Sequence, residues 1–315
     1  MIVKIMKYLE SLVNSLSFNL ENEEIPSKLD VVLEGGAMNG SIHIGALCYL
    51  KKLETMKKTK IMRISGASCG AIVGAMFLTI DINKIEKYYL KIVDDLLSTG
   101  SLFNLEKYLD EYLDEISDEI VKNLTDKLYI SYVDASSKRR IVISKYNCKD
   151  DLRDALIKTS FLPIIINGSI TTNDNCIDCG IPYVFPNDLS RRQTKDYKTL
   201  YLRLLTFELL KVSLKTNGEL NTCRRAIEGV QYVHDLFKSN QSNKYASIVE
   251  KWGKSEIIHL TIINIIWWIA TYYFISIKWV YNNIIPKNIK QHPFTLRTKN
   301  VIYELWVNYI SRLIN

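Results

Sequence analysis

Hydrophobic and polar residues in the first eighty positions follow helical and strand-like patterns in turn. Residues 1–20 carry apolar side chains at helical spacing with lysines between them, which predicts an amphipathic N-terminal helix. Two short apolar runs, "LDVVL" at 29–33 and "KIMRIS" at 60–65, predict strands. Each run leads through small residues into an apolar stretch of helical length, the second being "GAIVGAMFLTI" at 70–80. The pattern therefore predicts strand followed by helix, twice.

The middle of the chain predicts a helical segment, a strand pair and further helices. Residues 84–126 alternate apolar and acidic groups at helical period, which suits a helical cap over a site. The runs "KLYISYVD" at 127–134 and "RRIVISKY" at 139–146 predict paired strands. Residues 195–238 predict two helices, separated near Asn217 and Gly218.

A long uncharged segment, "IIHLTIINIIWWIATYYFISI", occupies residues 257–277. As a helix it would extend roughly 31 Å, close to the hydrocarbon thickness of a bilayer. Trp267 and Trp268 fall in its middle, however, whereas aromatic belts prefer the ends of a membrane-spanning helix. Membrane insertion, close membrane contact and a buried helix all remain open. Beyond Pro286, one face of a last amphipathic helix is predicted from Val301, Leu305, Tyr309 and Leu313.

Ser68 lies in a GxSxG pattern, between Gly66 and Gly70 in "RISGASCGAIVGA". Between a strand and a helix, this spacing can lift a serine out of a sharp turn, where strand and helix pass so close that the flanking positions must lack side chains. The helix N-terminus would point free N–H groups at the site. Ser68 is thus a candidate nucleophile, and the alternative is a small residue in a tight turn.

A second glycine cluster, with Gly35, Gly36 and Gly40, follows the strand in "LDVVLEGGAMNGSIHIGAL" at 29–47. Such a loop can aim successive backbone N–H groups at an anion. A nucleotide phosphate loop would place lysine and serine or threonine after the last glycine, and a dinucleotide fingerprint spaces its glycines differently. An oxyanion hole for a serine attacking an ester carbonyl remains as the functional interpretation.

At these two motifs the sequence resembles the patatin-like phospholipase family. The glycine loop stands as "EGGAMNG" and the nucleophile turn as "GASCG". The third signature of the family, an aspartate shortly before a glycine, is matched by "CIDCG", so the corresponding acid is Asp178. The resemblance covers about residues 29–186, with the motifs in the order of the family.

The resemblance implies an α/β, three-layer fold with a mainly parallel sheet between helices, followed by a helical C-terminal extension. It implies a Ser68–Asp178 dyad without a histidine, and an acyl-serine intermediate formed on membrane glycerolipids. No cofactor or metal is expected. The motif glycines are Gly40, Gly66, Gly70 and Gly180, and the expected oxyanion hole comprises Gly35, Gly36, Ala37 and Cys69.

Three positions depart from the family pattern. Ala37 replaces the third glycine of the loop, and a positive φ there would be strained. Asn39 replaces the basic residue, which removes a charge near the oxyanion or a lipid phosphate. Gly180 stands two positions after Asp178 instead of directly beside it. These departures keep open a catalytically silent protein that binds lipid or scaffolds a membrane partner.

Histidine and cysteine offer further candidates. A third hypothesis is an α/β-hydrolase esterase with a Ser68–Asp178–His234 triad, whereas His43 is interpreted as a structural helix residue. Cys176 and Cys179 have CxxC spacing, but a zinc site of this kind normally needs a second pair. We therefore expect ordinary small residues in a packed turn.

Composition limits the class of protein. The 315 residues, 47% hydrophobic and 24% charged, suffice for one sizeable core with additions. The net charge of +7 comes from scattered basic groups that suit solvated faces of the surface. Attraction to anionic lipid surfaces is the functional alternative, and nucleic acid is less favoured because no nucleic-acid-binding module accompanies the charge. Six unevenly spaced cysteines and no recognisable signal peptide favour the cytoplasm, and we expect association with a membrane. The predicted organisation is an N-terminal helix at 1–28, a catalytic domain at 29–190 and a helical extension at 191–315.

Overall fold

The computed structural model describes most of the chain. It covers residues 2–18, 20, 23–99, 102–164, 166–185, 196–206, 208–209, 218–286 and 304–305. The strands are β1 (Lys28–Leu33), β2 (Ile61–Gly66), β3 (Leu128–Asp134), β4 (Arg139–Ile143), β5 (Cys176–Asp178), β6 (Tyr197–Leu202) and β7 (Ala246–Ile248). The helices are α1 (Ile2–Phe18), α2 (Gly40–Thr55), α3 (Cys69–Thr79), α4 (Ile82–Thr99), α5 (Leu105–Asp114), α6 (Asp118–Lys122), α7 (Lys149–Thr159), α8 (Gly218–Ser239) and α9 (Lys254–Asn283).

Among the described residues, the strands form one sheet in the order β4-β3-β2-β1-β6-β7, with β5 paired to β3. The central pairs β3–β2, β2–β1 and β1–β6 are parallel, and β4, β5 and β7 join antiparallel. Parallel strands are usually buried on both faces and read as nearly continuous apolar runs. β1 fits this description, because five of its six residues are buried.

The two faces of the sheet are covered by different elements. On one face, Val31 and Leu33 of β1 belong to a large apolar core that also contains residues of α1 to α8. On the other face, Val32 and Tyr201 form a smaller cluster against which Leu260 of α9 packs. The mainly parallel sheet therefore lies between helices, as predicted.

Helix α9 carries an unusual amount of exposed apolar surface. It is long and apolar enough to cross a membrane, with a mean hydropathy of 1.7, yet only 6% of its most apolar window is buried. Thr271 is its one fully buried residue. The predicted apolar segment 257–277 lies inside this helix.

Several secondary-structure predictions are confirmed and one is wrong. The antiparallel pair β3–β4 and the helices α4 to α6 occur where the sequence placed them. Residues 197–202, predicted as helix, form β6, because their backbone pairs with β1 on one side and β7 on the other, and four of the six residues are buried. Residues 191–315 are thus not purely helical, and the domain boundaries stay a prediction. The predicted break near Asn217 and most of the last predicted helix fall outside the described residues.

Candidate active site

Ser68 occupies a strained turn between β2 and α3. Its φ of 52° and ψ of −131° are rarely adopted by residues other than glycine. A Cβ on Gly66 would lie 2.6 Å from Ala71 Cα, and one on Gly70 would lie 2.4 Å from the Leu33 carbonyl oxygen. Both glycines are therefore required by the close passage of strand and helix, the physical reason that the GxSxG spacing suggested.

Strand pairing brings Asp178 to this turn. β2 pairs with β3 up to Ile130, and β5 pairs with β3 from Asp134 back to Tyr132. β4 occupies the other edge of β3, so β2 and β5 share one edge and run towards each other. Ser68 follows the end of β2 and Asp178 ends β5, so the two residues meet.

The Asp178 carboxyl group is buried and contacts Ser68. It accepts a hydrogen bond of 2.6 Å from the Gly180 N–H, and the Ser68 side chain lies close enough to lower its pKa. Burial raises the pKa of Asp178 to about 7, although these two interactions lower it in part. A carboxyl with this pKa can accept and return a proton near neutral pH, the range that suits a general base.

A threonine that sequence reasoning missed holds the nucleophile turn. The backbone N–H of Ser68 donates to Thr159 Oγ1 at 2.9 Å, and the Thr159 hydroxyl donates to the Ser131 carbonyl at 2.6 Å. The strained serine is thereby tied to both α7 and β3. The sequence offered no signal for this contact, because threonine at the end of a helix is common.

The glycine loop lies beside Ser68, but its N–H groups differ in availability. The Gly35 N–H donates to the Gly180 carbonyl oxygen at 2.8 Å, so in this structure it is already engaged. The Gly36 N–H interacts with the Cys69 sulfur, which brings this donor of the glycine loop beside the first residue of α3. Ala37 has a φ of 47°, the strained conformation anticipated for an alanine at this position.

Buried polar side chains make hydrogen bonds at both ends of this loop. The Glu34 carboxylate accepts hydrogen bonds from Tyr201 Oη at 2.5 Å and from the N–H groups of Leu204 and Leu205 at 2.7 Å each. Burial raises the pKa of Glu34, and these donors oppose the rise. Arg225 of α8 donates to the Met38 carbonyl oxygen at 3.1 Å. A buried guanidinium therefore lies close to the loop in which Asn39 replaces the family's basic residue.

An apolar pocket opens beside Ser68. It holds about 460 Å³ of space, part of it continuous with solvent. Helices α3, α4 and α5 supply much of its wall, so the predicted helical cap does border the site. Its lining residues are Ala37, Met38, Ser68, Cys69, Ile72, Val73, Tyr89, Ile92, Leu102, Leu105, Ser160 and Leu162.

The remaining candidates make contacts of a structural kind. His234 Nδ1 is 2.9 Å from Tyr49 Oη, and its ring packs edge-on against that tyrosine. His43 lies in α2 with Nε2 2.8 Å from the Glu34 carbonyl oxygen, and burial lowers the pKa of His43 to about 4. Cys176 and Cys179 are both buried, and the described residues contain no cluster suited to a metal ion.

Comparisons with known proteins agree with the motifs. Residues 31–188 match the family model described as patatin-like phospholipase. Among solved structures, the chain is similar to the crystal structure of VipD from Legionella pneumophila, with 13% identity and a TM-score of 0.35. That similarity covers 55% of this chain and 49% of the VipD chain, and no curated protein matches. Since the family model covers half of its residues, this chain belongs to the patatin-like phospholipase family.

Proposed function

We propose that this protein is a serine acyl hydrolase that cleaves fatty acyl esters of membrane glycerolipids. The observation that carries the proposal is the position of the strained Ser68 beside the buried Asp178 carboxyl group. A serine in this backbone conformation costs stability, and such strain persists where the surrounding structure enforces it, often at functional sites. Family membership supports lipid acyl hydrolysis as the reaction class.

The chemistry needs two protein side chains and backbone donors. Asp178 takes the proton from Ser68 Oγ as this oxygen attacks the acyl carbonyl carbon. N–H groups of Gly36, Ala37 and Cys69 stabilise the oxyanion. Asp178 then returns the proton to the departing alcohol, leaving an acyl-serine. Water attacks this ester, gives its proton to Asp178 and releases the fatty acid, after which the proton returns to Ser68.

Two surfaces favour a lipid as the substrate. The pocket beside Ser68 has an almost wholly apolar wall, which suits a fatty acyl chain. Helix α9 exposes a row of large apolar side chains on its outer face, including Ile258, Ile262, Ile265, Ile269 and Tyr273. Exposed apolar surface of this extent marks an interaction site. Residues 257–277 carry no charge and the chain as a whole is basic, so we assign this face to an anionic bilayer.

The orientation of α9 favours contact in the plane of the bilayer over spanning it. Its inner face packs on the sheet at Leu260 near its beginning and still contacts the domain at Lys278, about 27 Å further along the helix. A helix that crossed the hydrocarbon core while docked in this way would carry the domain into the core with it. With α9 in the plane, the bilayer meets only the outer face.

A catalytically silent lipid-binding protein is the competing hypothesis, and it has specific support. Ala37 keeps a strained φ, Asn39 lacks charge, and the Cys69 sulfur interacts with the Gly36 N–H, one of the proposed oxyanion donors. A triad with His234 receives less support, because the described polar contact of this ring is with Tyr49.

Single substitutions in the dyad test the proposal. Ser68→Ala and Asp178→Asn should each lower fatty acid release from phosphatidylglycerol vesicles by about 10³-fold or more, and the double variant should lose little beyond that. A fluorophosphonate probe should label the wild type and leave Ser68→Ala unlabelled. His234→Ala should keep substantial activity.

Matched controls separate chemistry from packing. Ser65→Ala removes a buried hydroxyl in β2, the strand that leads to Ser68, and this hydroxyl has no partner among the described residues. Asp174→Asn removes an exposed carboxylate near β5. Both controls should retain turnover and labelling. Equal labelling of wild type and Ser68→Ala would refute the nucleophile, and a folded wild type without turnover or labelling would establish the silent alternative.

A further inference from the structure

Helix α9 presents a regular inner face to the domain. The residues that contact other elements include Leu260, Asn264, Trp267, Trp268, Phe274 and Lys278. With the buried Thr271, positions 260, 264, 267, 271, 274 and 278 are three or four residues apart, the spacing of one helix face. Polar contacts fix this face near both ends. Arg140 Nη2 donates to Asn264 Oδ1 at 2.6 Å, and Lys278 Nζ donates to Asn175 Oδ1 at 2.5 Å.

Trp267, in the middle of this face, lies directly on the turn that contains the candidate base. Its indole N–H donates to the backbone carbonyl of Asp178 at 3.1 Å. Its ring covers Gly180, where an added Cβ would lie 2.8 Å from the ring atoms. Gly180 has a φ of 63°, so both its backbone conformation and the indole ring exclude a side chain there.

The turn held by Trp267 links both halves of the site. The Gly180 N–H donates to the Asp178 carboxylate, and the Gly180 carbonyl accepts from the Gly35 N–H of the glycine loop. Any displacement of this turn would therefore move the base and release the first residue of the loop. It would also admit water to the Asp178 carboxyl, whose burial is the largest cause of its raised pKa.

We infer that Trp267 is a positioning residue that holds the turn from Asp178 to Gly180, so that helix α9 completes the active site with its inner face. The inference rests on the proposed role of Asp178 as base. It gives α9 two functions on opposite faces, alignment of the acid turn inside and contact with the bilayer outside. It also accounts for tryptophan in the middle of the helix, where an aromatic belt would not place it.

Two substitutions at Trp267 separate its hydrogen bond from its ring. Trp267→Phe keeps an aromatic ring over Gly180 and removes the donor to Asp178, so kcat/KM on a water-soluble p-nitrophenyl ester should fall about three- to tenfold. Trp267→Ala also uncovers the turn, so the loss should be larger. Wild-type activity should rise with pH through a midpoint near 7, where Asp178 ionises. In Trp267→Ala water relieves the desolvation, and this midpoint should move to lower pH.

Trp279→Phe is the matched control, since Trp279 lies on the same helix and is 57% exposed. It should leave the rate and the pH midpoint on the soluble ester unchanged. Circular dichroism of every variant checks that the full chain is folded. Ser68→Ala provides the reference for the proposed function.

The outcomes are distinguishable. Persistent hydrolysis in Ser68→Ala would refute the proposed function. A wild-type rate in Trp267→Phe, together with a wild-type rate and pH midpoint in Trp267→Ala, would refute only the role of Trp267 if Ser68→Ala is inactive. A loss in Trp279→Phe equal to that in Trp267→Phe would also refute it, since the effect would then belong to the helix as a whole.

Discussion

Helices α3 and α9 are the two most apolar helices among the described residues, and they reach opposite environments. In α3 eight of eleven residues are buried, whereas in α9 only Thr271 is buried among thirty. α3 lies inside the main core against the sheet, and α9 covers the other face of the sheet with one side only. Apolar composition therefore indicates that a helix must be shielded from water. The fold determines how much of its apolar surface is buried within the protein itself.

The same two helices bracket the candidate dyad. Ser68 is the N-cap residue of α3, and Trp267 of α9 contacts Asp178. The proposed nucleophile is thus fixed from the buried core, whereas the proposed base is covered by a helix whose other face is exposed. We expect the two helices to respond differently to identical changes.

The largest difference should come from placing one carboxylate on each helix. Ala75→Asp on α3 buries an unpaired charge at a position with 0% exposure, and should lower the free energy of unfolding by more than about 4 kcal/mol. Ile269→Asp on α9, at a position 64% exposed, should change it by less than about 0.5 kcal/mol. Urea denaturation of both variants measures this difference.

Vesicle flotation should show a large effect of the α9 substitution, which changes the free energy of unfolding only slightly. Ile269→Asp should weaken binding to phosphatidylglycerol vesicles by about tenfold or more, because it removes an apolar contact and adds a like charge. If Ile269→Asp instead unfolds the protein or splits an oligomer on size exclusion, the outer face of α9 is covered by protein and not by lipid.

What the sequence predicts well is local. The turn at Ser68 depends on Gly66 and Gly70, which are close neighbours in the chain, so the strand, the turn and the start of the helix could be placed from residues alone. Asp178 could be found only by resemblance to a family, because its approach to Ser68 depends on β2 and β5 sharing one edge of β3. No pattern within 176–178 encodes that pairing.

Two features of the C-terminal half show why the rest escapes prediction. The sequence pattern predicts helix at residues 197–202, but pairing with β1 and β7 makes them a strand, since tertiary context overrides intrinsic preference. The length of α9 was visible, but its docked face was not. Asn264, Thr271 and Lys278 recur at intervals of seven on that face, a signal that acquires meaning only with Arg140 and Asn175 beside it.

A smaller effect on the free energy of unfolding is expected at Asp178, whose carboxyl group lies between α3 and α9. The pKa of Asp178 is raised in the folded protein to about 7, so the carboxyl is protonated when folded and ionised when unfolded between about pH 4 and 7. Ionisation of the unfolded chain therefore lowers stability as pH rises through this window. Asp178→Asn removes that penalty. It should be more stable than wild type by up to about 4 kcal/mol above pH 7, with little difference near pH 4.

Urea denaturation at pH 4.5 and 8.5 tests this dependence. Ser68→Ala is the control, since it leaves the buried carboxyl in place; because Ser68 lowers the pKa of Asp178, this variant should show a pH dependence at least as large as that of wild type. A difference between Asp178→Asn and wild type that is equal at both pH values would show that folding does not raise the pKa of the Asp178 carboxyl.

The smallest effect concerns backbone strain on the two loops at the N-terminal end of α3. Ser68 and Ala37 both have positive φ, but only Ser68 has a side chain with a proposed role in the reaction. Ala37→Gly should therefore raise the free energy of unfolding by about 1 kcal/mol, because glycine adopts this conformation without a steric penalty. The N–H at position 37 is retained, so turnover should change by less than about threefold. Gly36→Val serves as the contrast: its side chain would clash with Leu204, where an added Cβ lies 2.7 Å from Leu204 Cβ, and displacing this donor should lower turnover by about 10²-fold. If Ala37→Gly destabilises the protein, the alanine methyl contributes packing worth more than the strain it causes.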